Sequence, residues 1–167
     1  MPTQKLQPSR ALPVIPSDDA NIPTPNLLVT GAATSTVTNQ LVDSTANFII
    51  TTTTGVQYAV NTGDVVYNDS NPGGSTIVEV IDATTLLLNA DIIASGDTYS
   101  IYQEAPQTGL NNQGAVLYIG GIGSLKVTTS GNDIVTFISV QTGTFFPVNV
   151  VKVWATGTDC TNIIALW

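Results

Sequence analysis

Ser75-Thr-Ile-Val-Glu-Val-Ile-Asp82 sets Ile77 and Glu79 against Val78 and Val80, and Asp82-Ala-Thr-Thr85 then runs directly into Leu86-Leu-Leu88. Alternation of this kind is the mark of a half-buried strand, and short polar residues between two such runs predict a hairpin. Working outward, the same pattern predicts strands near 34–38, 46–50, 56–60, 64–68, 75–82, 85–89 and 98–103. Asn68-Asp-Ser-Asn-Pro-Gly-Gly74 has the composition of a turn. Thr51–Thr54 is a low-complexity tract whose β propensity favours a strand edge or loop over a helix. Strands this short and this closely spaced predict a small barrel or sandwich.

Beyond Ala105-Pro-Gln-Thr-Gly-Leu-Asn-Asn-Gln-Gly114, Ala115–Ile119 reads as a strand stopped by Gly120-Gly121. Leu125–Thr128 and Ile134–Val140 flank Ser130-Gly-Asn-Asp133, a second predicted hairpin. Val148–Ala155 and Asn162–Trp167 follow, separated by Thr156-Gly-Thr-Asp159. Val148, Val150, Lys152 and Trp154 share one face, with Asn149, Val151, Val153 and Ala155 on the other. Both faces are largely apolar, so this strand is expected to be covered on both sides. The closing apolar strand is expected to be packed. No helix of normal length is visible.

Residues 1–27 carry Pro2, Pro8, Pro13, Pro16, Pro23 and Pro25. Proline removes backbone donors and blocks helix and central strand alike, so this is an extended arm. Leu6, Ala11, Leu12, Val14, Ile15 and Ile22 lie between the prolines and suit docking onto another surface. The bland alternative is a disordered leader. Charge marks the next boundary. The arm and residues 113–167 are each neutral, whereas 28–112 hold eight acids and no Lys or Arg, the whole net charge of −8. The expected fold class is therefore all-β in three parts: an extended Pro-rich arm (1–27), a small inserted acidic β-barrel or sandwich (28–112), and a C-terminal antiparallel β-sandwich (113–167) assembled with the arm.

Charged residues make up only 10% of the chain and hydrophobic ones 43%. Low charge suits a surface covered by neighbouring subunits better than one kept soluble by its own charges. A basic footprint for nucleic acid is missing, as is a basic amphipathic helix or an apolar run long enough to span a membrane. The proline-interrupted N-terminus argues against a signal peptide. Cys160 stands alone, which excludes an internal disulfide and fits synthesis in a reducing cytoplasm.

Candidate chemistry is sparse. The chain has no His, which removes His-based triads and most zinc and haem sites. Cys160 lacks a His to activate it and is expected to pack as a small apolar group. Gly120-Gly121-Ile122-Gly123 lacks both the completed fingerprint and the following helix of a phosphate loop, and reads as a β-turn. Asp18-Asp19 is the nearest approach to paired carboxylates, with Asp18 placed to form an Asx-type turn after Ser17. Asp64, Asn68, Asp69 and Asn71 offer oxygens to a calcium ion, but a plain hairpin turn is favoured because their spacing matches no EF-hand. Tyr58, Tyr67, Tyr99 and Tyr102 are the aromatics a carbohydrate-binding surface would use, although they sit in strand patterns. No catalytic, cofactor-binding or metal residue is assigned and no cofactor is expected.

Three stretches carry a resemblance: Pro16–Pro25 (PSDDANIPTP), Ala115–Thr129 (AVLYIGGIGSLKVTT) and Phe145–Trp167 (FFPVNVVKVWATGTDCTNIIALW). They resemble the head-spike base proteins of gene transfer agents and related tailed-phage virion proteins. In that family's pattern the arm leads almost directly into the AVLYIGG strand, whereas here residues 28–112 intervene, and Phe145-Phe146 is bulkier than the expected aliphatic pair. The intervening segment, through Leu41–Phe48, Gly63–Tyr67 and Ala90–Ile92, resembles a small acidic β module of marine tailed-phage structural proteins. The resemblance implies a non-enzymatic, homo-oligomeric virion protein on the capsid surface, a head decoration or vertex spike base. It would be made in the host cytoplasm, bound to major capsid protein or neighbouring virion proteins, and able to carry a spike fibre. The alternatives are a tail or baseplate structural or adaptor protein, and a carbohydrate-binding host-recognition module.

Overall fold

A computed structural model describes residues 8–52, 55–105 and 114–167. Among them every regular element is a β-strand. In chain order these are β1 (Ala11–Pro13), β2 (Leu27–Ala32), β3 (Ser35–Val37), β4 (Gln40–Val42), β5 (Ile49–Thr52), β6 (Gly55–Tyr58), β7 (Val65–Asn68) and β8 (Gly73–Val80). There follow β9 (Thr85–Leu88), β10 (Thr98–Tyr102), β11 (Ala115–Ile119), β12 (Gly123–Thr129), β13 (Ile134–Val140), β14 (Thr144–Val153) and β15 (Ile163–Leu166). Thr53 and Thr54 of the threonine tract, and the expected 112/113 boundary, lie outside the described residues.

The chain divides into two units, residues 8–14 with 114–167 and residues 15–105. The division falls between Val14 and Ile15, so the proline-rich stretch is shared. Its first part forms β1, which pairs antiparallel with β15 through Ala11↔Leu166 and Pro13↔Ile164. Pro13 is tolerated because β1 is an edge, where a missing amide leaves no ladder bond broken. The second part runs along the acidic unit, bonding to it through Ser17, Asp19 and Thr24.

In the acidic unit the hairpins expected at 68–74 and 82–85 join β7 to β8 and β8 to β9. An antiparallel sheet runs β2-β10-β7-β8-β9-β4-β3, with β5 and β6 as a separate hairpin. Leu41, Phe48, Ile77, Leu86, Tyr99 and Ile101 form its buried core. The sequence reading missed β2 and β4. Leu27–Ala32 lacks alternation, and Gln40–Val42 is too short to show a period. Both form because β10 and β9 offer them an edge. In β8 the register slips between Ile77 and Glu79, and the extra residue Val78 is left 48% exposed. The apparent alternation therefore contains a bulge, which shifts the later side chains to the opposite face.

The other unit is an antiparallel sheet in the order β1-β15-β11-β14-β12-β13. Ala115, Leu117 and Ile119 of β11, Leu125 and Val127 of β12, and Ile163 and Ala165 of β15 alternate into its core. β14 corrects the expectation of two-sided cover. Its early half pairs with β11, where the register jumps from Leu117↔Phe146 to Ala115↔Val150 across the amide-less Pro147. Its later half pairs with β12, with Val151 as an extra residue between the partners of Thr128 and Thr129. Phe146 and Val150 are buried before that bulge, Val151 and Val153 after it, while Phe145 and Asn149 are exposed. Valines on both faces of the run reflect one core face whose phase changes at a bulge.

Candidate assembly surface

Residues weighed for chemistry turn out to hold the fold. Ser17 makes the turn attributed to Asp18. Its Oγ accepts from the amides of Asp19 (3.1 Å) and Ala20 (2.9 Å) and donates to the Gly74 carbonyl (2.6 Å). Asp19 reaches β8. Its Oδ2 accepts from the Thr76 amide (2.8 Å), Thr76 Oγ1 (3.0 Å) and Ser75 Oγ (3.1 Å), and its Oδ1 accepts from Asn89 Nδ2. Partial burial pushes its carboxyl pKa up, but these donors outweigh burial and hold it below the usual carboxylate value.

The oxygens considered for calcium face different partners. Asp64 accepts from the amides of Asn61 (2.7 Å) and Glu104 (2.9 Å), and Asp69 from Ser100 Oγ (2.7 Å). Asn68 Oδ1 accepts from the amides of Ser70 and Asn71, while its Nδ2 donates to the Ile92 carbonyl and Asp97. Asp97, unremarked in the sequence, also takes the Ala94 amide and Asn71 Nδ2, and the Ala94 amide, with Asn68 and then Asn71, draws its pKa down. The arrangement is a turn clasp. Among the described residues no group of three or more His, Cys, Asp or Glu is placed to hold a metal ion.

Tyr67 and Tyr99 are buried, with Tyr102 half-buried beside Tyr67, so the first two present no platform to a sugar ring. The side chain of Tyr58 lies outside the described residues. Gly120 and Gly121 donate their amides to the carbonyls of Asn162 (3.0 Å) and Thr161 (2.8 Å), which leaves them unavailable to a phosphate. Cys160 is buried, and burial together with the neighbouring Asp159 charge pushes its thiol pKa up.

The surface of the 114–167 unit differs in kind. Among the described residues β13 is the terminal strand of its sheet, paired with β12. The pairs Leu125↔Phe137 and Val127↔Val135 set Phe137 and Val135 toward the core side, and Phe137 meets Phe146 edge-on at 4.6 Å between centroids. Ile134 and Thr136 pair with Thr128 and Lys126 on the outer face. There Ile134 is 58% and Ile138 78% exposed, and Phe145 and Ile122 of the same unit are 64% and 61% exposed. Lys126 and Lys152 each set an ammonium over the Trp154 ring, at 4.6 and 4.4 Å, and the Trp154 indole N–H donates to Thr128 Oγ1. The outer face is thus apolar at its edge and cationic–aromatic beside it.

The unit division also sorts the charge. Lys5, Arg10, Lys126 and Lys152, all the Lys and Arg of the chain, fall in the segments of the first unit with only Asp133 and Asp159 against them. The acidic unit holds the other ten acids and no Lys or Arg, so the formal charges are +2 and −10, making the net −8. No family model, no curated protein and no solved structure matches this chain.

Proposed function

We propose that this chain is a non-enzymatic structural protein of a tailed phage or phage-like particle, seated on the capsid surface as a head decoration or vertex spike-base protein. The observation that carries the reading is the apolar edge strand β13. A side chain such as Ile138, 78% exposed on a terminal strand, is tolerable when a neighbouring subunit covers it. The acids weighed for chemistry support the same reading, because Asp19, Asp64 and Asp69 are taken up in internal hydrogen bonds.

In this proposal the proline-rich arm, the acidic β module and the C-terminal β-sandwich are the three working parts. The partners are major capsid protein, neighbouring virion proteins and further copies of the chain, with a spike fibre as the load of a vertex base. Proline pre-stiffens the arm, which lowers the entropy lost when β1 orders against β15 and the residues after Pro16 against β8. One-sign charge on the acidic module discourages contact between particles.

The test is to label this chain on intact particles from the source. Label at head vertices is the result expected of a spike base, and label across the head that of a lattice decoration protein. Label confined to the tail would make it a baseplate or adaptor protein. Particles without label would overturn the virion reading and favour a carbohydrate-binding module, for which glycan binding by the full chain is the measurement.

A further inference from the structure

We infer that β13 is a self-pairing edge, through which two copies of this chain join strand to strand, antiparallel about Thr136. The inference rests on the reading of the chain as an assembly protein and names the contact. Exposed strand edges pair unless something prevents it, and proteins blunt them with short length, proline or charge. The opposite edge of this sheet, β1, is three residues long and contains Pro13. By contrast β13 is seven residues, Ile-Val-Thr-Phe-Ile-Ser-Val, with no charge and no proline.

The register follows from the strand's irregularity. β12 and β13 slip between Leu125↔Phe137 and Gly123↔Val140, and Ser139 takes a positive φ of 57°. The regular edge is therefore 134–138. Pairing it with itself about Thr136 places Ile134 of one copy opposite Ile138 of the other, and Val135 opposite Phe137. Opposed residues share a face, so the two most exposed isoleucines of the edge cover each other, as β-branched cross-strand pairs do. Charge does not oppose the contact. Asp133, next to the edge in sequence, would lie opposite Ser139 of the other copy, and the two Asp133 carboxylates about 20 Å apart at ~3.4 Å per residue, beyond the ~8 Å screening length, while Lys126, one strand in from Thr136, holds its ammonium over the Trp154 ring.

The contact is small. A five-residue edge pair with its side chains buries less than the ~1,000 Å² of a stable interface, so free copies associate weakly. Copies held side by side on one surface pair readily, because the second contact is then intramolecular. This suits a subunit that should assemble on a template rather than in solution.

Cysteine crosslinking of the full chain reads both the contact and its register, and buried Cys160 leaves the background low. Thr136→Cys puts two thiols directly opposite, within disulfide reach. Ile134→Cys puts them about 14 Å apart along the strand. Val78→Cys, on the acidic unit, is the exposure control. Under mild copper–phenanthroline oxidation the expected result is covalent dimer at least tenfold faster for Thr136→Cys than for either other variant. Adding Ile138→Lys should slow it by a similar factor, with circular dichroism confirming that the fold is kept. Equal rates at positions 134 and 136, no dimer at 136, or indifference to Ile138→Lys would each overturn the pairing and leave the edge to another chain's strand. Particle labelling judges the broader reading separately: labelled particles without crosslinking would sink the pairing alone, and crosslinking without labelled particles the virion assignment alone.

Discussion

Asp19 Oδ2 lies 2.8 Å from the amide nitrogen of Thr76, fifty-seven positions along the chain, and accepts its hydrogen bond. Through this bond and its companions from Ser75, Thr76 Oγ1 and Asn89, one carboxylate fastens the residues after Pro16 onto β8. Hydrogen bonds to a charged acceptor are worth more than neutral ones, because the ion gains most from them.

Asp19→Asn puts an NH₂ group where at most one oxygen can still accept. It is expected to cost about 2 kcal/mol of stability, read as a lower urea midpoint for the full chain. The loss should depend on pH. The folded-state pKa of Asp19 is depressed, so its contribution is present above the unfolded value, about 3.9, and fades as pH falls through the lower folded value. The gap between wild type and Asp19→Asn should therefore be constant near neutrality and close in acid. A gap that persists undiminished at pH 2 would contradict the latch.

Gly123 should tolerate no side chain. A Cβ there would sit 2.6 Å from the Cys160 amide nitrogen and 2.7 Å from the Asp159 carbonyl carbon, and backbone cannot step aside as a flexible side chain can. Gly123→Ala is expected to destabilise the 114–167 unit by about 2–3 kcal/mol. Tryptophan fluorescence reports it, since Trp154 and Trp167 both belong to that unit. Gly143→Ala meets no atom within 4 Å but keeps a φ of 76°, so a smaller loss of about 1 kcal/mol is expected from backbone strain alone.

What the sequence made legible, and what it hid, follows from the same local geometry. Short apolar runs bounded by turn residues located β7, β8, β9 and β11, and the hairpins joining the first three, because period and punctuation agree there. Bulges were invisible. Val78 and Val151 are ordinary strand residues by type, and only the partner strand makes them the extra residue. The role of Asp19 was hidden for a related reason. The donors that fasten it, Ser75 and Thr76 of β8 and Asn89 just after β9, lie 56 to 70 positions away. The exposed edge was equally unreadable, since Ile134 and Ile138 look like core until the sheet order leaves β13 at its end.

Tyr99 donates its phenol proton to Asp43 Oδ2 at 2.8 Å, inside the core of the acidic unit. Burial and the adjacent carboxylate push its pKa up, and burial does the same for Tyr67. In an alkaline titration followed by phenolate absorbance, these two should stay protonated beyond the ordinary tyrosine range and ionise only as the unit unfolds. Tyr99→Phe keeps the ring beside Phe48 but takes one donor from Asp43, leaving the amide and hydroxyl of Thr45 and the Ala46 amide. The expected loss is about 1–2 kcal/mol. Ionisation of every tyrosine near pH 10 in the folded protein would show that the Tyr99–Asp43 bond is not formed.

The sorting of charge between the units predicts unequal salt responses. Ten acids without a Lys or Arg repel one another in the 15–105 unit, while the other unit carries only +2. Screening relieves like-charge repulsion, and it does so mainly where the Debye length falls through the spacing of surface charges, from about 30 Å at 0.01 M to about 10 Å at 0.1 M. Thermal unfolding followed by tyrosine near-ultraviolet dichroism, which is dominated by the acidic unit, should therefore move upward over that interval. The tryptophan-detected transition of the other unit should stay nearly level, because its few charges are of mixed sign and Lys126 and Lys152 lie against Trp154. The change should then flatten for the acidic unit above 0.1 M. A steady climb of both transitions into the molar range would instead be the generic exclusion of salt from protein surface, and would mean that self-repulsion does not limit the stability of the acidic unit.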